Sequence, residues 1–220
     1  MSKDLEQRVQ RLEDIEEIQK LMSRYAYLLT AHMHGEMVDQ LFSKATPGQK
    51  VQISGWGIWE GYDAARRCYA RAHDWIETTL LGLPGTMMQH AFTTPLIEVA
   101  GDGQTAKALW ISPGHEARPT GGEVTAYWVW VVYSDDFVKE DGAWKIWHHR
   151  VTEVLFSPAK GDWVSGNVLS EELLPDWPDD CRPDRPSPPQ WKYSPTAICV
   201  LDPAPPEPYE TWHDDRSYIQ

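Results

Sequence analysis

The side chains best suited to moving protons in this chain are its eight histidines, and four of them lie between Met88 and Phe156. Two fall in consecutive apolar runs, His90 near the start of QHAFTTPLIEVA and His115 near the end of TAKALWISPGHEARP. If these runs pair antiparallel through Gly101-Asp102-Gly103, the start of one lies beside the end of the other. Two imidazoles would then face one cavity, where one removes a proton and the other delivers one. His148 and His149 follow in WKIWHHRV, and strict alternation groups His148 with Trp144 and Ile146 and His149 with Lys145 and Trp147. Only one of the two faces a cavity on that reading.

His32 and His34 form an HxH pair, but neither a carboxylate nor a cysteine stands near them at a metal-ligand spacing. No metal is expected, and the pair is read as pocket-lining or surface residues. Trp56, Trp59, Trp110, Tyr127 and Tyr133 are candidates for the apolar wall of a substrate pocket, since 12 Trp is a large number for 220 residues. Asp135 and Asp136 read as solvated residues ahead of a hairpin, with Asp135 placed to orient a histidine. Arg118 and Arg150 read as partners for carboxylates. There is no serine elbow, no catalytic cysteine motif and no nucleotide-binding glycine loop, so the available chemistry is acid and base.

These residues need a scaffold, and the chain supplies one in order. Leu5, Val9, Leu12, Ile15, Ile18, Met22, Tyr25 and Leu29 recur at steps of three and four, which predicts one amphipathic helix over 3–30. A short helix around Met37 to Phe42, a strand and turn at VQISGWGIWEG, and a third helix ending at Gly82 come next. Four long strands are expected between Met88 and Phe156. Beyond Phe156 the prolines concentrate, and regular secondary structure is excluded there. The Trp and Tyr residues in that segment predict that it wraps over the domain or a neighbouring subunit. The expected division is 1–156 as the folded domain and 157–220 as an irregular Pro/Trp-rich tail.

Net charge −13 and pI ≈ 5.0 argue against nucleic acid and anionic membranes as partners. Cys68, Cys181 and Cys199 are odd in number and lack CxxC spacing, which fits a reducing cytoplasm, although a Cys181–Cys199 bridge is compatible with the sequence. The charged start MSKDLEQRVQRLEDIEE has no apolar core of a secretory signal.

DIEEIQKLMSRYAYLL, VDQLF, the WEG turn and KEDGAWKIWHHRV, in this order, resemble the SnoaL-like branch of the nuclear-transport-factor-2-like (NTF2-like) superfamily over about Leu5 to Phe156. The resemblance implies an α+β cone-shaped barrel, a curved and mostly antiparallel sheet packed on three N-terminal helices, with the tail as an extension. It also implies a homo-oligomer, dimer or trimer, and either a cofactor-free lyase, an isomerase or cyclase, or a non-catalytic binding module. MQHAF and ISPGHEARP are similar to segments of scytalone dehydratases, which assigns His90 and His115 as catalytic; Tyr25 resembles a helix tyrosine that reaches the cavity in ketosteroid isomerases, which implies a substrate hydrogen-bond donor. The aspartate frequent after the first helix in such proteins is replaced by Thr30-Ala31-His32. The function expected is a lyase that removes water from an aromatic, phenolic small molecule. An extension through a quinone methide to C–C cleavage with release of formaldehyde is similar to lignin-dimer diarylpropane lyases.

Overall fold

The protein is described by a computed structural model over residues 3–120, 122–168, 170 and 176–220. The periodic N-terminal run forms α1 (Lys3–Thr30), and α2 (His34–Leu41) follows after a sharp corner at His32, whose φ is 58°. From Ile18 onward the apolar face of α1 is buried through Met22, Tyr25 and Leu29, whereas Leu5, Val9 and Leu12 are exposed. A helix of this length spans about 42 Å, so its first turns project beyond the sheet it packs on.

A third helix occupies positions 64–81 and is wound as a π-helix over Arg66–His73 and Ile76–Leu81. π-helical turns are rare and occur frequently at functional sites. A spacing of four keeps Tyr69, His73 and Glu77 on one buried face of it.

The strands are β1 (Lys50–Ile53), β2 (Gly57–Glu60), β3 (Met87–His90), β4 (Thr93–Val99), β5 (Thr105–Thr120), β6 (Glu123–Glu140) and β7 (Ala143–Pro158). They form one curved, unclosed sheet in the order β2-β1-β7-β6-β5-β3, with β4 also paired to β5. All pairings are antiparallel except β1 on β7. The expected long first strand is thus two short ones, broken at Ala91-Phe92 and followed by the positive φ of Thr94.

Two register shifts between β6 and β7 pass over Trp147 and Val154. Such bulges bend a strand and raise its twist, which curves the sheet around the helices. The concave face carries Ala106, Ala108, Trp110, Val129, Val131, Tyr133, Phe137, Ile146, Val151 and Phe156 into the core beneath α1, α2 and the third helix. Three helices packed on a curved, mostly antiparallel sheet make this an α+β fold, as expected.

After β7 the chain runs along the sheet edge. Arg185 bridges Ile58 of β2, the Trp59 indole donates to the Cys181 carbonyl (2.8 Å), and the Tyr209 and Glu210 carbonyls accept from Gly101 and Asp102. Cys68, Cys181 and Cys199 are all free thiols, so the Cys181–Cys199 bridge is not formed. No described helix is long and apolar enough to cross a membrane.

Candidate active site

β5 turns from apolar to polar along its concave face, where Ala106, Ala108 and Trp110 are followed at period two by Ser112, Gly114, Glu116 and Arg118. Opposite Gly114 stands His90, the last residue of β3. Gly114 is required there, because a Cβ at this position would lie 2.7 Å from His90 Cδ2 and 2.9 Å from the Gln89 carbonyl. The bare backbone leaves room for the imidazole.

His90 is fixed at both nitrogens, Nδ1 lying 2.6 Å from the Tyr133 hydroxyl and Nε2 3.3 Å from Glu116 Oε1. Burial works against the Glu116 charge, but Arg118, 2.8 Å from Oε2, and His90 together hold its carboxyl down to about 2. Glu116 is therefore ionised at neutral pH. As an ionised acceptor it takes the hydrogen bond from Nε2–H, which leaves Nδ1 on the Tyr133 hydroxyl. The result is a Glu–His–Tyr relay with its charge anchored by arginine.

Tyr25 projects from α1 into the same space, its hydroxyl 2.7 Å from that of Tyr69. Burial raises Tyr25, Tyr69 and Tyr133 well above the usual phenol range, so all three are proton donors at neutral pH. His73, from the third helix, lines the same wall. Burial pushes it down to about 4, and its Nδ1 lies 3.0 Å from the Cys68 carbonyl, so Nδ1–H donates and Nε2 keeps its lone pair. The cavity volume is about 40 Å³, and Trp56, Met88, Val131 and Glu153 line it together with the residues above. Ser170 closes one side, its Oγ accepting from the Trp56 indole at 3.1 Å.

A second imidazole lies behind the phenols. His149 Nδ1 is 2.5 Å from Asp135 Oδ1, both side chains are fully buried, and the His149 ring sits 5.1 Å from Tyr25 and 5.6 Å from Tyr133. Desolvation raises the Asp135 carboxyl despite this partner. His149 Nε2 and Asp135 Oδ2 have no hydrogen-bond partner among the described residues.

Of the residues expected from the sequence, His90, Tyr25, Trp56 and Tyr133 reach the cavity. His115 does not. It pairs across the strands with Gln89 rather than His90, and that offset of one residue turns its ring to the convex face, where it is exposed against Trp128. His148 also points outward, because the bulge at Trp147 puts both residues on the convex side and leaves Ile146 and His149 inside. His148 binds Asp136 (2.9 Å) and the C-terminal Ser217 (3.0 Å). Asp135 and Asp136 are fully buried, not solvated, each carrying one histidine.

Trp59 is spent on the Cys181 carbonyl, Trp110 packs between Phe92 and Phe137, and Tyr127 stacks on Phe156. His32 and His34 both turn to Glu77 instead of the cavity. Glu116, Tyr69 and His73 were not singled out from the sequence. The small-and-polar alternation from Ser112 to Arg118 was the available signal for Glu116; nothing local marks the other two.

Among solved structures, the chain is similar to the LinA-type3 hexachlorocyclohexane dehydrochlorinase from Novosphingobium barchaimii LL02, with 17% identity and TM-score 0.55 over 70% of this chain and 95% of that one. A putative scytalone dehydratase from Novosphingobium aromaticivorans shows 18% identity and TM-score 0.55, covering 73% and 95%. A putative dehydratase of the NTF2-like family from Streptomyces avermitilis shows 16% identity and TM-score 0.51, covering 65% and 97%. No curated protein matches the chain. At these identities the likeness carries the fold. The SnoaL-like domain model matches residues 10–150, which take in most of α1, the two later helices and most of the sheet, and the chain belongs to the SnoaL-like family.

Proposed function

We propose that the protein is a lyase that eliminates water from a hydroxylated aromatic small molecule, using side chains of the cavity as acid and base. One observation carries the reading: His90 is held between the Tyr133 phenol and the arginine-anchored Glu116 carboxylate at the wall of a tyrosine-lined cavity. In this reading the Tyr133 oxygen takes a proton from the substrate as it passes its own to His90 Nδ1. Glu116 stabilises the imidazolium that forms. The C–O bond to the leaving hydroxyl breaks as the new double bond forms, and the proton returns through Tyr133 to that hydroxyl, which departs as water. Tyr25 donates a hydrogen bond to a phenol or carbonyl oxygen of the substrate, and Trp56 supplies stacking surface. With a para-hydroxyphenyl substrate the same step yields a quinone methide, an electron sink for C–C cleavage and loss of formaldehyde. The dehydratase and dehydrochlorinase names borne by structural neighbours accord with an elimination.

The test is turnover of phenolic diol dimers and hydroxylated aromatic ketones, followed by ultraviolet absorbance, product mass and formaldehyde. The expected product has lost one water, with formaldehyde where the diol side chain permits. His90→Ala is expected to lower kcat on the order of 100-fold or more, while His115→Ala keeps wild-type turnover. A product of unchanged mass would make the protein an isomerase, and tight binding without turnover by the wild type would make it a binding module. Either result overturns the proposal.

A further inference from the structure

The corner between α1 and α2 holds a second cluster that the cavity chemistry does not use. His32 Nδ1 and His34 Nε2 both approach Glu77 Oε2, at 2.6 and 2.7 Å, across 45 and 43 residues of chain. One ligand atom from each of the three side chains lies within 4.8 Å of the others. The His34 and Glu77 side chains are each 1% exposed, whereas His32 is 23% exposed and opens the cluster to solvent on one side. Glu77 Oε1 is buried without a hydrogen-bond partner among the described residues.

A buried carboxylate needs a positive counterpart, and among the described residues no lysine or arginine forms an ion pair with Glu77. His32 and His34 each bring one ring nitrogen to the same carboxylate oxygen. Two imidazole nitrogens and one carboxylate facing one point, with an open side, is the donor set of a transition-metal centre in which a solvent molecule takes the remaining position. We propose that His32, His34 and Glu77 bind one divalent transition-metal ion of the zinc class. Metal–ligand distances of about 2.0–2.2 Å in a tetrahedral site separate the ligand atoms by roughly 3.3–3.6 Å, so the Glu77 oxygen and the two imidazoles, now 2.6 and 2.7 Å apart, move apart as the ion enters. The His34 ring lies 6.4 Å from Tyr69 and 5.8 Å from His73, both of which line the cavity. The ion therefore fixes the helix corner behind the cavity wall and does not touch the substrate, and the proposal stands independently of the reaction assigned above.

The test uses tag-free full-length protein, chelated and then titrated with Co²⁺. The expected result is one equivalent bound, with visible d–d absorption that Zn²⁺ abolishes, and a rise in Tm on adding Zn²⁺. His32→Ala and Glu77→Gln are each expected to weaken Co²⁺ binding by about 100-fold, removal of a supporting partner alone being worth about 10–100-fold. His32 is partly exposed, so His32→Ala should fold and melt like the chelated wild type, and it decides the matter if Glu77→Gln does not fold. Absence of a bound equivalent, or equal Co²⁺ spectra in wild type and His32→Ala, overturns the site and leaves Glu77 as a hydrogen-bond hub only.

Discussion

Gly114 gives up its side chain so that an imidazole can lie against the strand. Gly114→Ala would force His90 aside, since the new methyl meets both the ring and the Gln89 carbonyl. The expected outcome is loss of turnover comparable to His90→Ala, with far-ultraviolet circular dichroism unchanged, because the backbone there is ordinary extended strand. Glu116 offers a test by titration. Its folded value of about 2 lies below the ordinary 4.5, so the unfolded chain binds the proton first. Its contribution is fully present above pH 4.5 and is lost as pH falls toward 2, amounting to about 3 kcal/mol for the buried group. Acid unfolding of Glu116→Gln should lose this slope between pH 4.5 and 2, checked by urea denaturation at a series of pH values. At this scale His90 and Tyr25 were legible because histidine and tyrosine advertise their chemistry. Arg118 was legible as a carboxylate partner, and it pairs with Glu116; Glu116 itself was harder to recognise, because a glutamate in a strand reads as surface charge until Ser112 and Gly114 are seen on the same face.

Strand β7 shows how an element can overrule its own periodicity. Alternation placed His148 with Ile146, yet the bulge at Trp147 puts two consecutive residues outside and resets the pattern beyond them. The displaced His148 joins Lys107 and Asp136 in a buried polar knot on the convex side, sealed by Ser217 and by the Tyr218 ring 3.6 Å from the Lys107 ammonium. Asp136→Asn would leave Lys107 without its carboxylate. A loss of about 3–5 kcal/mol is expected in equilibrium urea unfolding. Lys20→Ala breaks only the exposed pair with Glu16 and should cost about 0.5 kcal/mol or less. The third helix was legible as a helix but not as a π-helix, since hydrogen-bond closure to the fifth residue leaves no clear mark on apolar spacing.

At the scale of the molecule, the segment after β7 covers what the sheet alone would expose. Trp56 and Trp59 spend their indole N–H groups on Ser170 and Cys181, and Trp177 packs 5.6 and 6.0 Å from their rings. A chain ending at Pro158 should bind an environment-sensitive apolar dye that the full chain excludes, and should lose turnover even with His90 intact. Dye fluorescence and kcat measured on the same samples check both. Equal dye binding by the two chains would show that the tail is not the cover.

The sequence by itself determined the helix–helix–strand–helix order, the run of antiparallel strands and the SnoaL-like family, because these rest on local periodicity and on motifs in a fixed order. It also placed Tyr25 and His90. Tertiary structure alone decided which histidines meet. A one-residue offset in β-sheet register sends His115 outside, a bulge exchanges His148 for His149, and the packing of a distant helix brings Glu77 to His32 and His34. Register, bulges and helix docking are settled by contacts between residues far apart in the chain, and side-chain direction in a strand reverses with every single-residue shift.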